Sequence, residues 1–578
     1  MRASLFIAVF SSVGLLCGKA AYGQNDYPLT PDSQPQAGVP QGKVLGPFAW
    51  NESKIYPGTH RNYWVYVPAQ YDAAKPACVL VVQDGLGRAK AWNIPTVLDN
   101  LIHKGEVPPQ IGIFIDHGQV PPIGELAQPR FNRSFEYDAL GDRYARFLLE
   151  EILPAVAKDY NLSTNPNDRA ICGASSGAIC AFNVAWERPN EFRRVYSSIG
   201  TYVGLRGGNN FPTLVRKFEP KPIRVFLQDG DQDLNIYAGD WWTANLDMLS
   251  ALKFNRYEVA HAWGTGGHDS KQSAAVTPDA FRFLWKDYPE PVRKGFNPDQ
   301  RTKIIIPGED WELVAEGFRF TEGPAVNAAG ELFFTDIPNN RIHRLNADGS
   351  VGVFVENSPG VNGLMFGPDR KLYACQNGSK KIVRYTPEGT EETVVEGVES
   401  NDLIILQDGR GYFTDPRNKK VWWFNTSGEF GVADEGIARP NGIIASPDQT
   451  LITVADTDGR FTWSFQRQLD GKLAYKQQYG HLHIPDETSS SGADGMTVDT
   501  EGRIYVTTRV GLQVMDQLGR VHIILDKPGP GWLANVVFGG PELDTLYVTC
   551  GSQLFKRKIS ARGVNFFEAP LAPPKPGL

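Results

Sequence analysis

Cysteine is scarce in this sequence, with six residues in a chain of 578. Beyond the first 23 residues these are Cys78, Cys172, Cys180, Cys375 and Cys550, and none has the spacing of a metal-binding motif. Such scattered cysteines exclude a disulfide framework, and we expect most of them to be small buried apolar residues. A single disulfide between two of these cysteines is the alternative, if the protein resides in an oxidising compartment.

Basic clusters and long apolar runs are also missing. The formal net charge is -7, and no stretch concentrates lysine or arginine. This charge pattern argues against nucleic acid or an anionic lipid surface as a partner. After residue 23 no segment is long and apolar enough to cross a bilayer, so we expect no membrane span.

The first 23 residues have the composition of a secretory signal. Arg2 provides a short positive region, and an apolar run of about a dozen residues extends from Leu5 to Leu16. Ala21-Tyr22-Gly23 then offers a small-residue cleavage site. We predict that residues 1–23 are a cleaved signal peptide and that the mature protein is secreted or periplasmic. An uncleaved anchor is the alternative.

Residues 44–287 alternate between apolar strand patterns and helical patterns. Continuous apolar runs of this kind are typical of a parallel sheet covered on both faces. The runs are Val79–Val82, Ile111–Ile115, Ala170–Cys172, Val195–Tyr196 and Ile223–Leu227. The alternation predicts a doubly wound α/β domain. Residues 24–43, rich in proline, glutamine and glycine, are predicted to be a flexible leader.

A proline-containing linker is predicted at residues 288–308, and an internal repeat of about 40 residues occupies residues 309–560. Its apolar strands are Leu332–Asp336, Leu372–Cys375, Gly411–Asp415, Thr453–Asp456, Ile504–Thr507 and Leu546–Thr549. Six copies predict an all-β domain, a six-bladed β-propeller, with an irregular sandwich as the alternative. Residues 561–578 are assigned to a C-terminal tail, of which Glu568–Leu578, with four prolines, is expected to be loose.

The segment Gly173-Ala174-Ser175-Ser176-Gly177 is a GxSxG motif between a predicted strand and a predicted helix. That context is what a nucleophile elbow requires, so Ser175 is the candidate nucleophile. The backbone N–H of Ser176 is one candidate oxyanion donor. The second is expected from the loop after Val79–Val82, at Gly85.

A serine nucleophile also needs a base and an acid, which follow it in this fold. Two histidines lie between Ser175 and the predicted linker. His268 follows a glycine-rich loop and is the preferred base, whereas His261 lies inside a strand pattern and is expected to be a packed strand residue. Asp233 is the preferred acid, with Asp231 as the alternative.

These motifs together resemble the enterochelin-esterase-like branch of the esterase-D and feruloyl esterase group, over about residues 44–287. The resemblance is carried by Tyr63–Pro68, Gln83–Gly85, Asn132–Asp138, the elbow and Gly266–His268. It implies an α/β-hydrolase fold without a cofactor and a triad of Ser175, Asp233 and His268. Members of this group cleave siderophore lactones, feruloyl or acetyl esters on polysaccharides, and other acyl esters.

The repeat region resembles the regucalcin and gluconolactonase family. The motifs are Thr321–Ala325, Ser400–Leu403, Tyr412–Pro416, Pro440–Ile443 and Gly492–Met496. The resemblance implies that Glu322, Asn441 and Asp494 bind one divalent cation and that Asn401 contacts the substrate or a bound water. Two carboxylates and an amide oxygen suit Ca²⁺ best, with Mg²⁺ or Zn²⁺ as alternatives. Glu399 stands where the family often has arginine, which weakens the inference of a sugar-acid lactone.

Two readings of the function follow. In the first, the chain is a secreted bifunctional hydrolase, a serine esterase fused to a metal-dependent lactonase that acts on small-molecule or carbohydrate esters and lactones. In the second, the propeller is a non-catalytic, metal-stabilised module that binds carbohydrate or another ligand. A non-enzymatic scaffold is disfavoured, because the serine, histidine and aspartate set is complete.

Overall fold

The structure is a computed structural model that describes residues 27–298 and 303–577. The predicted signal peptide, residues 1–23, lies outside the described residues. Within the described part, no helix combines the length and the apolar character that a membrane crossing requires. The chain forms an α/β domain followed by a β-propeller, as the sequence patterns predict.

The α/β domain is built on one eight-stranded sheet. Its strands, with two short hairpins, are β1 (Lys43–Trp50), β2 (Arg61–Val67), β3 (Cys78–Gln83), β4 (Gln110–Ile115), β5 (Gln119–Val120), β6 (Arg130–Phe131), β7 (Arg169–Ala174), β8 (Arg194–Ser198), β9 (Arg224–Gly230), β10 (Asn235–Ile236), β11 (Gly239–Asp240) and β12 (Glu258–Gly264). The sheet order is β1-β2-β4-β3-β7-β8-β9-β12. The strands from β4 to β12 are parallel to one another, while β1 and β2 are antiparallel to their neighbours.

Helices cover this sheet. They are α1 (Gly85–Ala91), α2 (Ile94–His103), α3 (Arg133–Tyr137), α4 (Arg143–Phe147), α5 (Leu153–Val156), α6 (Ser176–Glu187), α7 (Phe211–Lys217), α8 (Trp241–Phe254) and α9 (Lys271–Leu284). A π-helical turn, Leu148–Ile152, joins α4 to α5. The central strands β3, β4, β7, β8 and β9 are buried along their whole length. Continuous apolar runs therefore mark the parallel strands correctly, and the α/β-hydrolase prediction is confirmed.

The second domain has six four-stranded blades. Its strands are β13 (Glu312–Glu316), β14 (Thr321–Val326), β15 (Leu332–Asp336), β16 (Arg341–Leu345), β17 (Val351–Val355), β18 (Val361–Phe366), β19 (Leu372–Gln376), β20 (Lys381–Tyr385), β21 (Glu391–Glu396), β22 (Leu403–Ile405), β23 (Arg410–Asp415), β24 (Lys420–Asn425), β25 (Phe430–Glu435), β26 (Pro440–Ala445), β27 (Leu451–Asp456), β28 (Phe461–Arg467), β29 (Leu473–His481), β30 (Met496–Val498), β31 (Ile504–Thr508), β32 (Gly511–Met515), β33 (Val521–Leu525), β34 (Leu533–Gly539), β35 (Thr545–Cys550) and β36 (Gln553–Lys558). The six-bladed prediction is confirmed.

The sequence repeat corresponds to one strand in each blade. The six apolar segments found in the sequence are the second strands, β15, β19, β23, β27, β31 and β35. The inner strands are β14, β18, β22, β26, β30 and β34. The last blade is completed by β13, which pairs with β36 and so joins the two ends of the propeller.

The expected flexible leader is wrong for residues 27–43, which pack on the α/β domain. Asp32 lies in a 3₁₀ turn and is buried, and its carboxylate pairs with Lys104 and Arg282. Asn100 Nδ2 donates to the carbonyl oxygen of Asp32 at 2.9 Å. The composition of the segment conceals these contacts because the partners lie far along the chain.

The predicted start of the C-terminal tail at residue 561 is wrong, because the first part of this segment packs on the propeller. Phe566 is 5% exposed and lines the central channel near the far ends of the inner strands, beside Val326 and Phe366. Gln449 Nε2 donates to the carbonyl oxygen of Phe566 at 3.1 Å. Residues 561–567 thus belong to the propeller. The five described cysteines are all buried and unpaired, so the disulfide left open in the sequence is not formed among them.

The two domains share a buried interface. Arg557 of β36 donates from both terminal nitrogens to Glu219, at 2.8 and 2.9 Å, and the two side chains are 0% and 7% exposed. The backbone N–H of Glu219 donates to the carbonyl oxygen of Ile524 at 2.9 Å. Lys221 forms an ion pair with Asp526 at 3.3 Å. Domain contacts of this kind couple the halves more tightly than a linker alone would.

Candidate active sites

Ser175 lies at the turn between β7 and α6. Its φ of 58° and ψ of -124° lie in a region that non-glycine residues rarely adopt, and this strain is a feature of nucleophile elbows. The flanking glycines permit the turn, because a Cβ on Gly173 would lie 2.3 Å from the carbonyl oxygen of Gly177. The motif therefore places the Ser175 hydroxyl at the carboxyl edge of the parallel strands.

The structure brings Ser175, His268 and Asp233 into one hydrogen-bonded chain. His268 Nε2 lies 2.9 Å from Ser175 Oγ, and His268 Nδ1 lies 2.6 Å from Asp233 Oδ1. The side chain of Asp233 is 0% exposed and that of His268 is 23% exposed. Burial alone would raise the pKa of Asp233, but hydrogen bonds from His268, Asp229 and the Leu234 N–H hold it below its ordinary value. This arrangement can move a proton from Ser175 to His268.

The alternatives considered in the sequence lie elsewhere. Asp231 is exposed and accepts from Gln232 Nε2 at 3.1 Å, so it does not face His268. His261 lies in β12 as expected, but it is exposed and contacts the ring of Trp263, with centroids 5.0 Å apart. The prediction that His261 is a packed strand residue is correct for the strand and wrong for the packing, because β12 is the edge strand of the sheet.

Asp229 is a second buried carboxyl beside the chain, and sequence reasoning assigned it no role. Its side chain accepts from the N–H of Gly230 at 2.7 Å, and the residue is 0% exposed. Burial, together with the hydrogen bond and the negative charge of Asp233, raises the pKa of Asp229 to about 9. At neutral pH Asp229 is therefore protonated and lies beside Asp233 as a neutral carboxyl group. The Asp-Gly sequence is also a common turn former, which conceals this role.

Two further side chains adjoin the nucleophile. Thr201 Oγ1 lies 3.4 Å from Ser175 Oγ and accepts from Trp241 Nε1 at 3.3 Å. The Trp241 ring meets the imidazole of His268 edge-on, with centroids 5.8 Å apart. Trp241 thus shields one side of the imidazole. The sequence carries no local signal for either residue.

The two predicted oxyanion donors are the first residues of helices. Gly85 begins α1 and Ser176 begins α6, so neither N–H has an acceptor within its own helix. Arg133 holds this region together by donating twice to Asp84, at 2.7 and 2.9 Å, and once to the carbonyl oxygen of Ala174, at 3.3 Å. Arg133 therefore ties the loop after β3 to the elbow.

The second candidate site lies at the mouth of the propeller channel. Asn441 Oδ1 accepts from Asn401 Nδ2, and Asn401 Oδ1 accepts from Asn362 Nδ2. Asp494 Oδ2 accepts from Trp532 Nε1 at 2.6 Å. These bonds connect the predicted ligand Asn441 to Asn401, the predicted substrate contact, and bring in Asn362 and Trp532, which had no predicted role.

Glu322 lies in the same ring. Its Oε2 accepts from Asn535 Nδ2 at 3.0 Å, and the same amide nitrogen lies 3.2 Å from Asp402 Oδ2. Burial raises the pKa of all three carboxyl groups of the ring, to about 7 for Asp494 and about 6 for Asp402. The negative charges of Asp402 and Asp494 raise the pKa of Glu322 further.

A repeated pair of residues builds this ring. Four of the inner strands are entered by a polar residue followed by glycine, namely Glu322-Gly323, Asn362-Gly363, Asn441-Gly442 and Asp494-Gly495. A Cβ on Gly363 would lie 2.2 Å from Asp402 Oδ1, and one on Gly495 would lie 1.9 Å from Asn535 Oδ1. Each of these glycines lets the polar side chain of the next blade approach the axis. This pattern is visible in the sequence and could have identified Asn362.

The donor set of the ring fits a divalent cation. Counting only histidine, cysteine and carboxylate side chains, no group of three in the described ranges is arranged to hold a metal. The implied set includes an amide oxygen, however, and hard oxygen donors of this kind suit Ca²⁺ or Mg²⁺. Three buried carboxyls that raise one another's pKa would also be relieved by a cation. Glu322, Asn441 and Asp494 are therefore compatible with the group that the resemblance implies.

Comparison with known proteins identifies both regions. Residues 55–275 match the family model described as a putative esterase, and residues 320–552 match the one described as an SMP-30/gluconolactonase/LRE-like region. Both resemblances predicted from the sequence are confirmed. The chain is thus an esterase domain fused to a gluconolactonase-like propeller, and its class, a carboxylic ester hydrolase with a lactonase-like region, is confirmed.

Individual relatives cover one half of the chain each. A gluconolactonase of Zymomonas mobilis is 24% identical over 293 residues, which are 44% of this chain and 82% of the relative. An iron(III) enterobactin esterase of Dickeya dadantii is 24% identical over 281 residues, 44% of this chain and 60% of the relative. The crystal structure of a calcium-binding regucalcin from Agrobacterium tumefaciens is 19% identical, covering 46% of this chain and 97% of its own, with a TM-score of 0.40.

Proposed function

We propose that the chain is a secreted hydrolase with two sites, a serine esterase and a divalent-metal-dependent lactonase. The observation that carries the first assignment is the hydrogen-bonded chain from Asp233 through His268 to Ser175, with distances of 2.6 and 2.9 Å. These are the distances that proton transfer requires, and the strained turn at Ser175 presents the hydroxyl to the substrate.

In the esterase domain, His268 Nε2 takes the hydroxyl proton as Ser175 Oγ attacks the ester carbonyl carbon. The new C–O bond converts the carbonyl oxygen to an oxyanion, which accepts hydrogen bonds from the N–H groups of Gly85 and Ser176. Each such donor contributes roughly 3–4 kcal/mol in the transition state. Asp233 stabilises the imidazolium that forms.

Collapse of this intermediate breaks the ester bond, and His268 gives its proton to the leaving alcohol oxygen. An acyl group then remains on Ser175 Oγ. Water attacks the acyl carbon while His268 takes its proton, and release of the carboxylic acid restores the Ser175 hydroxyl. Asp229, protonated at neutral pH, adds no second negative charge beside Asp233.

In the propeller, Glu322, Asn441 and Asp494 would hold one divalent cation, for which Ca²⁺ is our first choice. Such a cation polarises a lactone carbonyl and lowers the pKa of bound water. Asn401 and Asn362 orient the amide oxygen of Asn441 through their hydrogen bonds. The resemblance to lactonases supports hydrolysis of a lactone at this position.

A non-catalytic binding propeller is the second candidate, and Glu399 favours it. Glu399 pairs with Arg417 at 3.0 Å and with Lys380 at 3.5 Å, where the family often has an arginine that holds a sugar acid. Turnover of aldonolactones by the full chain, lost on chelation and restored by Ca²⁺, supports the lactonase. Tight binding of a saccharide without turnover supports the binding module.

The esterase assignment is tested with p-nitrophenyl acetate and feruloyl sugars. We expect Ser175→Ala to abolish hydrolysis and Asp233→Asn to lower kcat by about 10⁴-fold, because the imidazole then adopts the wrong tautomer. Asp231→Asn is the matched control, since this exposed aspartate lies two residues away and does not touch His268. Retained hydrolysis by a folded Ser175→Ala protein would contradict the assignment.

Secretion is proposed from the composition of residues 1–23. Cleavage before Gln24 removes this segment, and the N-terminal sequence of the exported protein tests it.

A further inference from the structure

A cleft of about 490 Å³ lies between the two domains, outside both sites described above. This volume is within the usual range for sites that bind small organic molecules. Part of its wall is apolar and comes from both domains. Leu214 of α7 contributes from the α/β domain, and Ile484, Pro485 and Val510 contribute from the propeller.

Three arginine and lysine side chains of the propeller line this cleft without an ion pair to a carboxylate in the described ranges, namely Arg460, Arg509 and Lys527. Of these, Arg460 lies 3.3 Å from His481 Nε2. Arg509 and Lys527 both line the cleft, and neither forms an ion pair with any residue in the ranges 27–298 and 303–577. Burial and the positive charge of Arg509 lower the pKa of Lys527. Two neighbouring cations that repel each other in a partly desolvated cleft would be stabilised by an anionic group between them.

Three carboxylates also line the cleft, Glu187 of the α/β domain and Asp486 and Asp526 of the propeller. Asp526 pairs with Lys221 of the α/β domain at 3.3 Å. Burial raises the pKa of Glu187, and the charge of Lys221 opposes that shift. None of the three carboxylates is within ion-pair distance of Arg509 or Lys527, so these two cations have no counter-ion in the described ranges.

One side chain, that of Trp532, separates Arg509 from Asp494 at the propeller mouth. The guanidinium of Arg509 lies over the ring of Trp532, 5.0 Å from its centroid, and Trp532 Nε1 donates to Asp494 Oδ2. Arg509 follows β31, whose Thr507 accepts from the N–H of Asp494 at 3.0 Å. Arg509 thus lies at the end of the blade that presents Asp494, on the same face of the propeller as the ring of polar residues.

We propose that Arg509 and Lys527 form an anion subsite that holds the carboxylate or phosphate of an organic ligand in the interdomain cleft, with its apolar body against Leu214, Ile484 and Val510. The identification of this ligand as a substrate of the propeller rests on the proposed lactonase function. On that basis the propeller selects lactones that carry an anionic group and an apolar portion. The binding itself is independent of turnover and is measured directly.

The test is isothermal titration calorimetry on the full chain with trans-cinnamate and phenyl phosphate, and with neutral cinnamamide as the comparator. We expect one molecule of at least one anion to bind per chain, with roughly tenfold or greater weakening in the variant Arg509→Gln/Lys527→Met. Arg562→Gln/Lys472→Met is the matched control, because both of its side chains are exposed, at 64% and 73%. It removes the same charge and should leave the affinity unchanged. The tighter of the two anions identifies the preferred group.

Two further measurements separate this subsite from the metal ring. Binding should survive removal of metal by chelation and dialysis, since the cation pair requires no metal. Lys527→Met alone should weaken binding while leaving the contact between Arg509 and Trp532 intact. The proposal is overturned if the double variant binds as tightly as the parent, if cinnamamide binds as well as cinnamate, or if neither anion binds at millimolar concentration. If the full chain binds the anion but hydrolyses no lactone, only the proposed lactonase function is contradicted.

Discussion

Breaking the ion pair between Arg557 and Glu219 is the most direct test of whether the stability of each domain depends on the other. We consider the variant Arg557→Met, which keeps the volume of the side chain and removes its charge. The parent guanidinium donates to both oxygens of Glu219 and also to the carbonyl oxygen of Glu309 at 2.9 Å. The variant would leave the Glu219 carboxylate in a buried interface, with Lys294 at 4.0 Å as its nearest remaining cation.

Removing one partner of a buried pair costs about 3–5 kcal/mol, because the other charge remains desolvated. The side chains here are 0% and 7% exposed, so the buried value applies. For domains of this size, about 1 kcal/mol corresponds to a shift in Tm of roughly 2–4 °C, which gives a decrease of roughly 6–20 °C. Replacing both partners with apolar residues should cost less than either single change, since no charge is then stranded.

Differential scanning calorimetry of the full chain measures this effect. Arg562→Met is the matched control, because Arg562 forms an ion pair with Glu542 at 2.7 Å in which both side chains are 64% exposed. An exposed pair contributes about 0–1 kcal/mol, so the control should shift Tm little. If Arg557→Met and Arg562→Met lower Tm equally, the interface does not couple the domains. We would then conclude that the two domains fold separately, as the predicted linker between them implies.

Three further outcomes are expected. The pKa of Asp229 is raised from 3.8 to about 9. The contribution of this group to the free energy of unfolding is therefore complete below about pH 4 and is lost as pH rises to 9. The variant Asp229→Asn should remove this loss and raise Tm at pH 7 to 9. Equal pH dependence of the melting curves of the two proteins would contradict this. His268→Ala should lower kcat by orders of magnitude, whereas the exposed His261→Ala should change neither kcat nor Tm, and an inactive His261→Ala protein would reverse the assignment. A hundredfold excess of Ca²⁺ over its Kd should stabilise the propeller by about 2.7 kcal/mol, and Asp494→Ala should abolish this shift.

The esterase site could be predicted almost completely from local sequence. The GxSxG segment fixes its own geometry, since Gly173 and Gly177 allow the strained turn at Ser175. The order of residues along the chain then restricted the base to two histidines, and a glycine-rich loop distinguished His268. Asp233 could not be separated from Asp231 with certainty, because which of the two carboxylates faces the imidazole depends on a turn whose direction the sequence does not specify.

The supporting residues could not be predicted, for a different reason. Arg133 acts through Asp84, which lies 49 positions away, and Asp229 acts through a pKa that only burial produces. Trp241 is the first residue of α8, and its ring contacts the imidazole of His268. Such contacts depend on tertiary packing, which residue type and spacing do not reveal.

In the propeller, the sequence predicted the blades through their second strands, and a resemblance implied the candidate ligands. The recurring pair of a polar residue and glycine at the inner strands would have placed Asn362 in the same ring as Asn441 without any resemblance. Asp402 and Asn535 lack a following glycine and therefore escape that pattern. The ordered leader was missed because its low apolar content was taken as evidence of flexibility.

The position of the domain interface has a consequence for access to the propeller. Arg460 and Arg509 lie in the connections β27–β28 and β31–β32, at the ends of the blades where Asn441 and Asp494 enter their inner strands. Both arginines line the interdomain cleft together with Leu214 of the α/β domain. The α/β domain therefore covers one side of the mouth face of the propeller. A ligand approaching from that side must pass between the domains, so substitutions that loosen the interface should alter the specificity of the propeller as well as its stability.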